Sequence, residues 1–165
     1  MDMLSPGDVS APGSLLIVDD DAINRAILEN LFAPFYPIEE AEDGDEGLAR
    51  ILARPERFCA VLLDVVMPRM SGLEVLERLR ESALTEKLPV FLITAEASDE
   101  NMRRAYDLGV MDVISKPVVP YIVLKRVQSV IELFQARKRL RRTVASQQSK
   151  LLEQAEKIIR LNQGM

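Results

Sequence analysis

The chain of 165 residues has no histidine and no tryptophan, a single cysteine, and only 5% aromatic residues. Without histidine there is no His-based metal site, no histidine general base and no Ser-His-Asp triad, so any chemistry falls to carboxylates, lysine and hydroxyls. The lone Cys59 cannot form an internal disulfide, and its place in the apolar run CAVLL reads as a small buried side chain without chemistry. No apolar run approaches the roughly 20 residues of a membrane span. The opening MDMLSPGDVSAPG has neither the basic nor the apolar segment of a secretion signal. A cytoplasmic protein without a membrane partner is expected.

What is present suits one globular domain and a little more: 48% of residues are hydrophobic and 28% charged. The net charge of −5 hides an asymmetry, because residues 1–119 hold 11 Lys and Arg against 23 Asp and Glu, whereas residues 120–165 hold 10 against 3. Such a split separates two structural contexts. We read a loose N-terminal arm over 1–13, then an acidic globular body followed by a basic extended tail.

The body alternates short apolar runs with amphipathic stretches. LLIV (15–18) predicts a buried strand, followed by a helix with Ile23, Ile27 and Leu31 on its inner face that stops at Pro34. A weak strand near Ile38 precedes a helix over 45–53, and CAVLL (59–63) precedes a helix over 72–83 with Leu76 and Leu79 inward. PVFLI (89–93) leads to Ser98-Asp99-Glu100, an N-cap with an acidic first turn, and Gly109 supplies the helix stop. MDVIS (111–115) precedes Lys116-Pro117 and a last helix from about Pro120. Five βα units predict an α/β fold, a doubly wound parallel sheet whose ligands sit beyond the carboxyl ends of the strands.

Those ends carry Asp19-Asp20-Asp21, Asp64, Thr94 and Ser115-Lys116. Asp21 reads as a helix N-cap, but capping does not account for the whole set. Carboxylates gathered around Asp64 repel one another unless a cation neutralises them, and hard oxygen ligands without His or Cys point to Mg²⁺. A carboxylate can attack phosphorus while a lysine and a hydroxyl hold the transferred oxygens.

The segments LLIVDDDAINR, EAEDGDEGL, VLLDVVMPRMSGLEVL, VFLITAEAS and DVISKPV strongly resemble the receiver domains of two-component response regulators, over about residues 14–133. The resemblance implies the flavodoxin-like strand order 2-1-3-4-5. It makes Asp64 the phosphoacceptor for a sensor histidine kinase or phosphotransfer protein. By the same resemblance Asp20 is a Mg²⁺ ligand with Asp19 in the outer shell, and the backbone carbonyl of Val66 is a further ligand. Thr94 and Lys116 contact the phosphoryl group, Ala95 keeps its pocket open, and the Lys116-Pro117 bond is cis. Two positions depart from the family pattern. Ser71 stands where an Asp is usual, a surface change expected to be silent, and Val113 replaces the aromatic that often moves with the Thr. Two other readings compete. One is a haloacid-dehalogenase-like phosphatase using Asp19 and Asp21, and the other is a scaffold receiver that is never phosphorylated.

From Tyr121 to Asn162 there is no Pro or Gly. A heptad frame puts Val130, Arg137, Val144, Leu151 and Ile158 at a, with Leu133, Leu140, Gln147, Gln154 and Leu161 at d, which predicts a parallel homodimeric coiled coil through 121–162. The run Arg137-Lys138-Arg139-Leu140-Arg141-Arg142 reads as a solvated helix face, with no nucleic acid bound by this chain. The end AEKIIRLNQGM resembles connectors to enzymatic output domains, and a downstream cyclic-dinucleotide phosphodiesterase or cyclase is the expected continuation.

Overall fold

The computed structural model describes residues 13–164, so nearly all of the expected N-terminal arm lies outside the described residues. Five parallel strands, β1 (Ser14–Val18), β2 (Ile38–Ala41), β3 (Phe58–Leu63), β4 (Val90–Thr94) and β5 (Asp112–Ser115), form one sheet in the order β2-β1-β3-β4-β5. Between and after them run α1 (Ala22–Phe32), α2 (Gly44–Ala53), α3 (Gly72–Glu81), α4 (Asp99–Asp107) and α5 (Pro120–Gln163), with a 3-10 turn at Pro55–Arg57. This is the predicted doubly wound architecture and strand order. The described residues divide into two compact units between Ile131 and Glu132.

In the first unit, strand residues alternate between the two faces of the sheet. Leu16, Val18, Val61, Leu63, Val90 and Leu92 join Leu48 and Ile51 of α2, Leu76 and Leu79 of α3 and Ala105 of α4. Leu15, Ile17, Leu62, Phe91 and Ile93 join Leu28 and Phe32 of α1 and Val123, Val127 and Ile131 of α5. Both faces are covered, which a parallel sheet requires. Asp21, Asp43, Ser71 and Ser98 each cap a helix by accepting a backbone N–H from the first turn. Ser71 starts α3 by accepting from Glu74 N–H, a capping role that serine and aspartate fill about equally well.

Two local expectations are corrected. The sheet-facing residues of α1 are Leu28 and Phe32, while Ile23 and Ile27 are exposed. Both pairs satisfy helical spacing; Leu28 and Phe32 pack with Phe91, Ile93 and Val123, and Leu31 is partly buried against them. Helix α3 ends at Glu81 rather than 83, because Ala83 takes a left-handed φ of 57° and Leu84 N–H closes onto the Leu79 carbonyl at 3.0 Å. No glycine marks that stop. At α4 the stop is marked, by Gly109 with φ 94°.

In the second unit the rest of α5 is helical to Gln163 and exposed from Ala136 onward, including Leu140, Val144, Leu151, Leu152, Ile158 and Ile159. No helix among the described residues is long and apolar enough to cross a membrane.

Candidate functional site

Parallel pairing brings the carboxyl ends of all strands to one edge. There Asp19 and Asp64 follow β1 and β3, Thr94 ends β4 and Lys116 follows β5. Carboxylate oxygens of Asp19, Asp20 and Asp64 lie within 4.8 Å of one another. Asp19 is 2% exposed, Asp64 8% and Thr94 1%, whereas Asp20 is open to solvent.

The cluster is held by backbone as well as side chains. Asp64 N–H donates to the Val18 carbonyl at 2.9 Å, and Lys116 N–H to the Thr94 carbonyl at 2.9 Å. A Cβ on Gly72 would stand 2.1 Å from the Asp64 carbonyl oxygen, so the chain entering α3 can pass this close only as glycine. The Lys116-Pro117 peptide is cis.

Lys116 Nζ donates to Asp19 Oδ2 at 2.8 Å and to Asp64 Oδ2 at 3.2 Å. Burial pushes the Asp64 carboxyl above its ordinary value; the Lys116 charge pulls it down and Asp19 adds to the rise. Burial alone lowers the Lys116 ammonium, but the hydrogen bond to Asp19 and the charges of Asp64 and Asp19 outweigh it and hold the ammonium raised. The Thr94 hydroxyl accepts from Glu96 N–H at 3.1 Å. Val66, two residues beyond Asp64, is 52% exposed, and Ala95 lines a cleft with Ile27, Lys116, Pro117 and Val118.

Three carboxylates beside one lysine that bonds only two of them are incompletely neutralised, and an all-oxygen donor set fits a hard divalent cation such as Mg²⁺. Asp21, which the phosphatase alternative needs as general acid, caps α1 by accepting from Ile23 N–H at 2.8 Å. Val113 packs against the core as an aliphatic residue. Arg25 carries no motif of its own, and its partners Glu40 and Glu42 lie within and just after β2.

A five-stranded 2-1-3-4-5 sheet with acidic residues, a threonine and a lysine at its carboxyl edge defines a flavodoxin-like protein with an anionic site. Residues 15–128 match the family model described as the response regulator receiver domain, and the chain belongs to that family. It is 34% identical over 116 residues to a Vibrio cholerae protein named "Probable cyclic di-GMP phosphodiesterase", covering 70% of this chain and 26% of that protein. It is 36% identical over 118 residues to the transcriptional regulatory protein ResD of Bacillus subtilis, covering 71% of this chain and 47% of ResD. The chain thus spans less than half the length of these two relatives. Among solved structures it is similar to a chain of the CheX-CheY-BeF3-Mg complex from Borrelia burgdorferi, with a TM-score of 0.67 and 29% identity over 72% of this chain and 89% of that one.

Proposed function

We propose that this receiver is a phosphoacceptor switch that takes a phosphoryl group onto Asp64, with Mg²⁺, from a phosphohistidine on a sensor kinase or phosphotransfer protein. The observation that carries the reading is the convergence of Asp19, Asp20 and Lys116 on Asp64 at the carboxyl edge of the sheet. Asp20, Asp64 and the Val66 backbone carbonyl would hold the ion, with Asp19 in its outer shell. Magnesium supplies the positive charge that lets a phosphoryl group come among three carboxylates.

The remaining chemistry belongs to the chain. An Asp64 oxygen bonds to phosphorus as the P–N bond of the donor breaks, the bonding pair leaves with the imidazole nitrogen, and Asp64 becomes an acyl phosphate. Lys116 trades its bond to Asp64 for one to a phosphoryl oxygen, and the Thr94 hydroxyl donates to another. Ala95, being small, leaves them room. Hydrolysis reverses the state: water attacks phosphorus, the P–O bond to Asp64 breaks, and carboxylate and inorganic phosphate are released. Exposed Ile23, Ile27 and Val119 offer apolar surface to a donor protein. Incubation with acetyl phosphate and Mg²⁺ should add one phosphoryl group. Absence of uptake by the wild type supports the unphosphorylated scaffold instead, and uptake that survives Asp64→Asn overturns the assignment.

The output reading concerns α5. Pairing two copies in parallel would bury Leu140, Val144, Leu151 and Ile158, which are exposed in the single chain, while polar layers at Arg137, Gln147 and Gln154 keep the coil modest in strength. We take residues 14–133 as the receiver and 134–165 as the connector to an output domain. The name of the Vibrio cholerae relative favours a cyclic-dinucleotide enzyme for that domain. The full chain should sediment as a dimer and a version ending at Phe134 as a monomer. Two monomers at tens of micromolar would contradict the coil.

A further inference from the structure

Asp20 is exposed and makes no hydrogen bond or ion pair among the described residues, so what places its Cα and Cβ beside the cluster is the backbone on either side. On the far side, Asp21 is fixed as the cap of α1. On the near side, every polar atom of Asp19 is engaged. Its N–H donates to the Ala41 carbonyl at 3.2 Å, Oδ1 accepts from Asp21 N–H at 2.9 Å, Oδ2 accepts from Lys116 at 2.8 Å, and the carbonyl accepts from Arg25 Nη1 at 2.7 Å. That carbonyl belongs to the Asp19–Asp20 peptide plane, whose rotation carries the Asp20 side chain with it. Arg25 is only 12% exposed and is anchored from behind by Glu40 at 3.8 Å and Glu42 at 3.9 Å.

We propose that Arg25 is a positioning residue for the cation site: by gripping the Asp19 carbonyl against β2 it sets the Asp19–Asp20 peptide plane and aims the Asp20 carboxylate toward Asp64. The proposal rests on the magnesium reading above and has a sign that charge alone does not share. A cation near three carboxylates repels Mg²⁺, so its removal should tighten binding on Coulomb grounds. Loss of positioning should loosen it, as loss of outer-shell support does at other metal sites.

The test is calorimetric titration of the full chain with MgCl₂ in four forms: wild type, Asp20→Ala, Arg25→Met and Arg25→Lys. Wild type should bind and Asp20→Ala should lose binding. Arg25→Met should raise Kd about tenfold, with partial recovery in Arg25→Lys, whose ammonium can still donate to the carbonyl. An unchanged or lower Kd in Arg25→Met overturns the proposal while leaving the magnesium reading intact. A metal-free readout separates the two: amide exchange at Asp21, whose N–H is held by Asp19 Oδ1, should quicken in Arg25→Met, and unchanged exchange overturns the positioning role whether or not Mg²⁺ binds. If Arg25→Met does not fold, Arg25→Lys carries both measurements, with a Kd above wild type expected and an equal Kd contradicting the proposal.

Discussion

Lys116 Nζ stands 3.2 Å from Asp64 Oδ2 and is shared with Asp19 at 2.8 Å, so one ammonium serves two buried carboxylates. The balance of burial against that single charge leaves the Asp64 carboxyl raised above its unfolded value. An acid whose folded pKa is raised binds its proton more tightly in the fold, so its contribution is full below the unfolded value near 3.8 and is lost as pH rises through the folded value. Metal-free protein should therefore be more stable as Asp64→Asn than as wild type at neutral pH. Added Mg²⁺ should stabilise the wild type and have little effect on the variant. Thermal melts with and without MgCl₂ at pH 7 check this, and a variant that melts lower in EDTA counts against it.

Gly72 and Asp64 are linked sterically. With a Cβ destined for 2.1 Å from the Asp64 carbonyl, Gly72→Ala should force the loop after β3 outward and cost about 1–3 kcal/mol. Urea unfolding measures the cost, and Mg²⁺ affinity should fall with it. Ala83→Gly is the opposite case. Its left-handed φ of 57° penalises a side chain, and glycine there should stabilise by about 1 kcal/mol.

Much of this fold was legible because a parallel sheet covered on both faces needs near-continuous apolar strands, and LLIV, CAVLL and PVFLI are such runs. The aspartates, Thr94 and Lys116 were legible because they directly follow those runs. The inner face of α1 was not, since Ile23 with Ile27 and Leu28 with Phe32 satisfy the same spacing, and which pair turns inward depends on how the helix is set against the sheet. The end of α3 was hidden by an alanine in a position where glycine is the usual signal. Arg25 was missed because its significance depends on the Asp19 carbonyl and on Glu40 and Glu42, contacts that no local pattern encodes.

Cys59 is half-buried, and burial pushes its thiol up to about 11 from 9.0. The thiolate is the reactive form, so alkylation by iodoacetamide near pH 8 should run about a hundredfold slower in the native protein than in urea. A native rate equal to the unfolded one would place the thiol in solvent. The same shift should cost stability as pH rises from about 9 toward 11, and Cys59→Ala should remove that slope.

Val66 presents an apolar, 52% exposed side chain two residues beyond Asp64, and in the proposed phosphorylated state it would flank the water that attacks the acyl phosphate. An amide at that position can hydrogen-bond the water, so Val66→Asn should speed loss of phosphate several-fold. The decay of labelled protein after removal of the donor measures it. An equal or slower decay contradicts the role.

Borohydride trapping tests directly whether Asp64 carries the phosphoryl group. Protein phosphorylated by acetyl phosphate in Mg²⁺ should be reduced with borohydride, which converts an acyl phosphate to the alcohol, and the peptides then sequenced by mass spectrometry. Homoserine is expected at position 64 and unmodified aspartate at 19 and 20. Reduction at either of those positions, or label that resists borohydride because it sits on a hydroxyl, would contradict it.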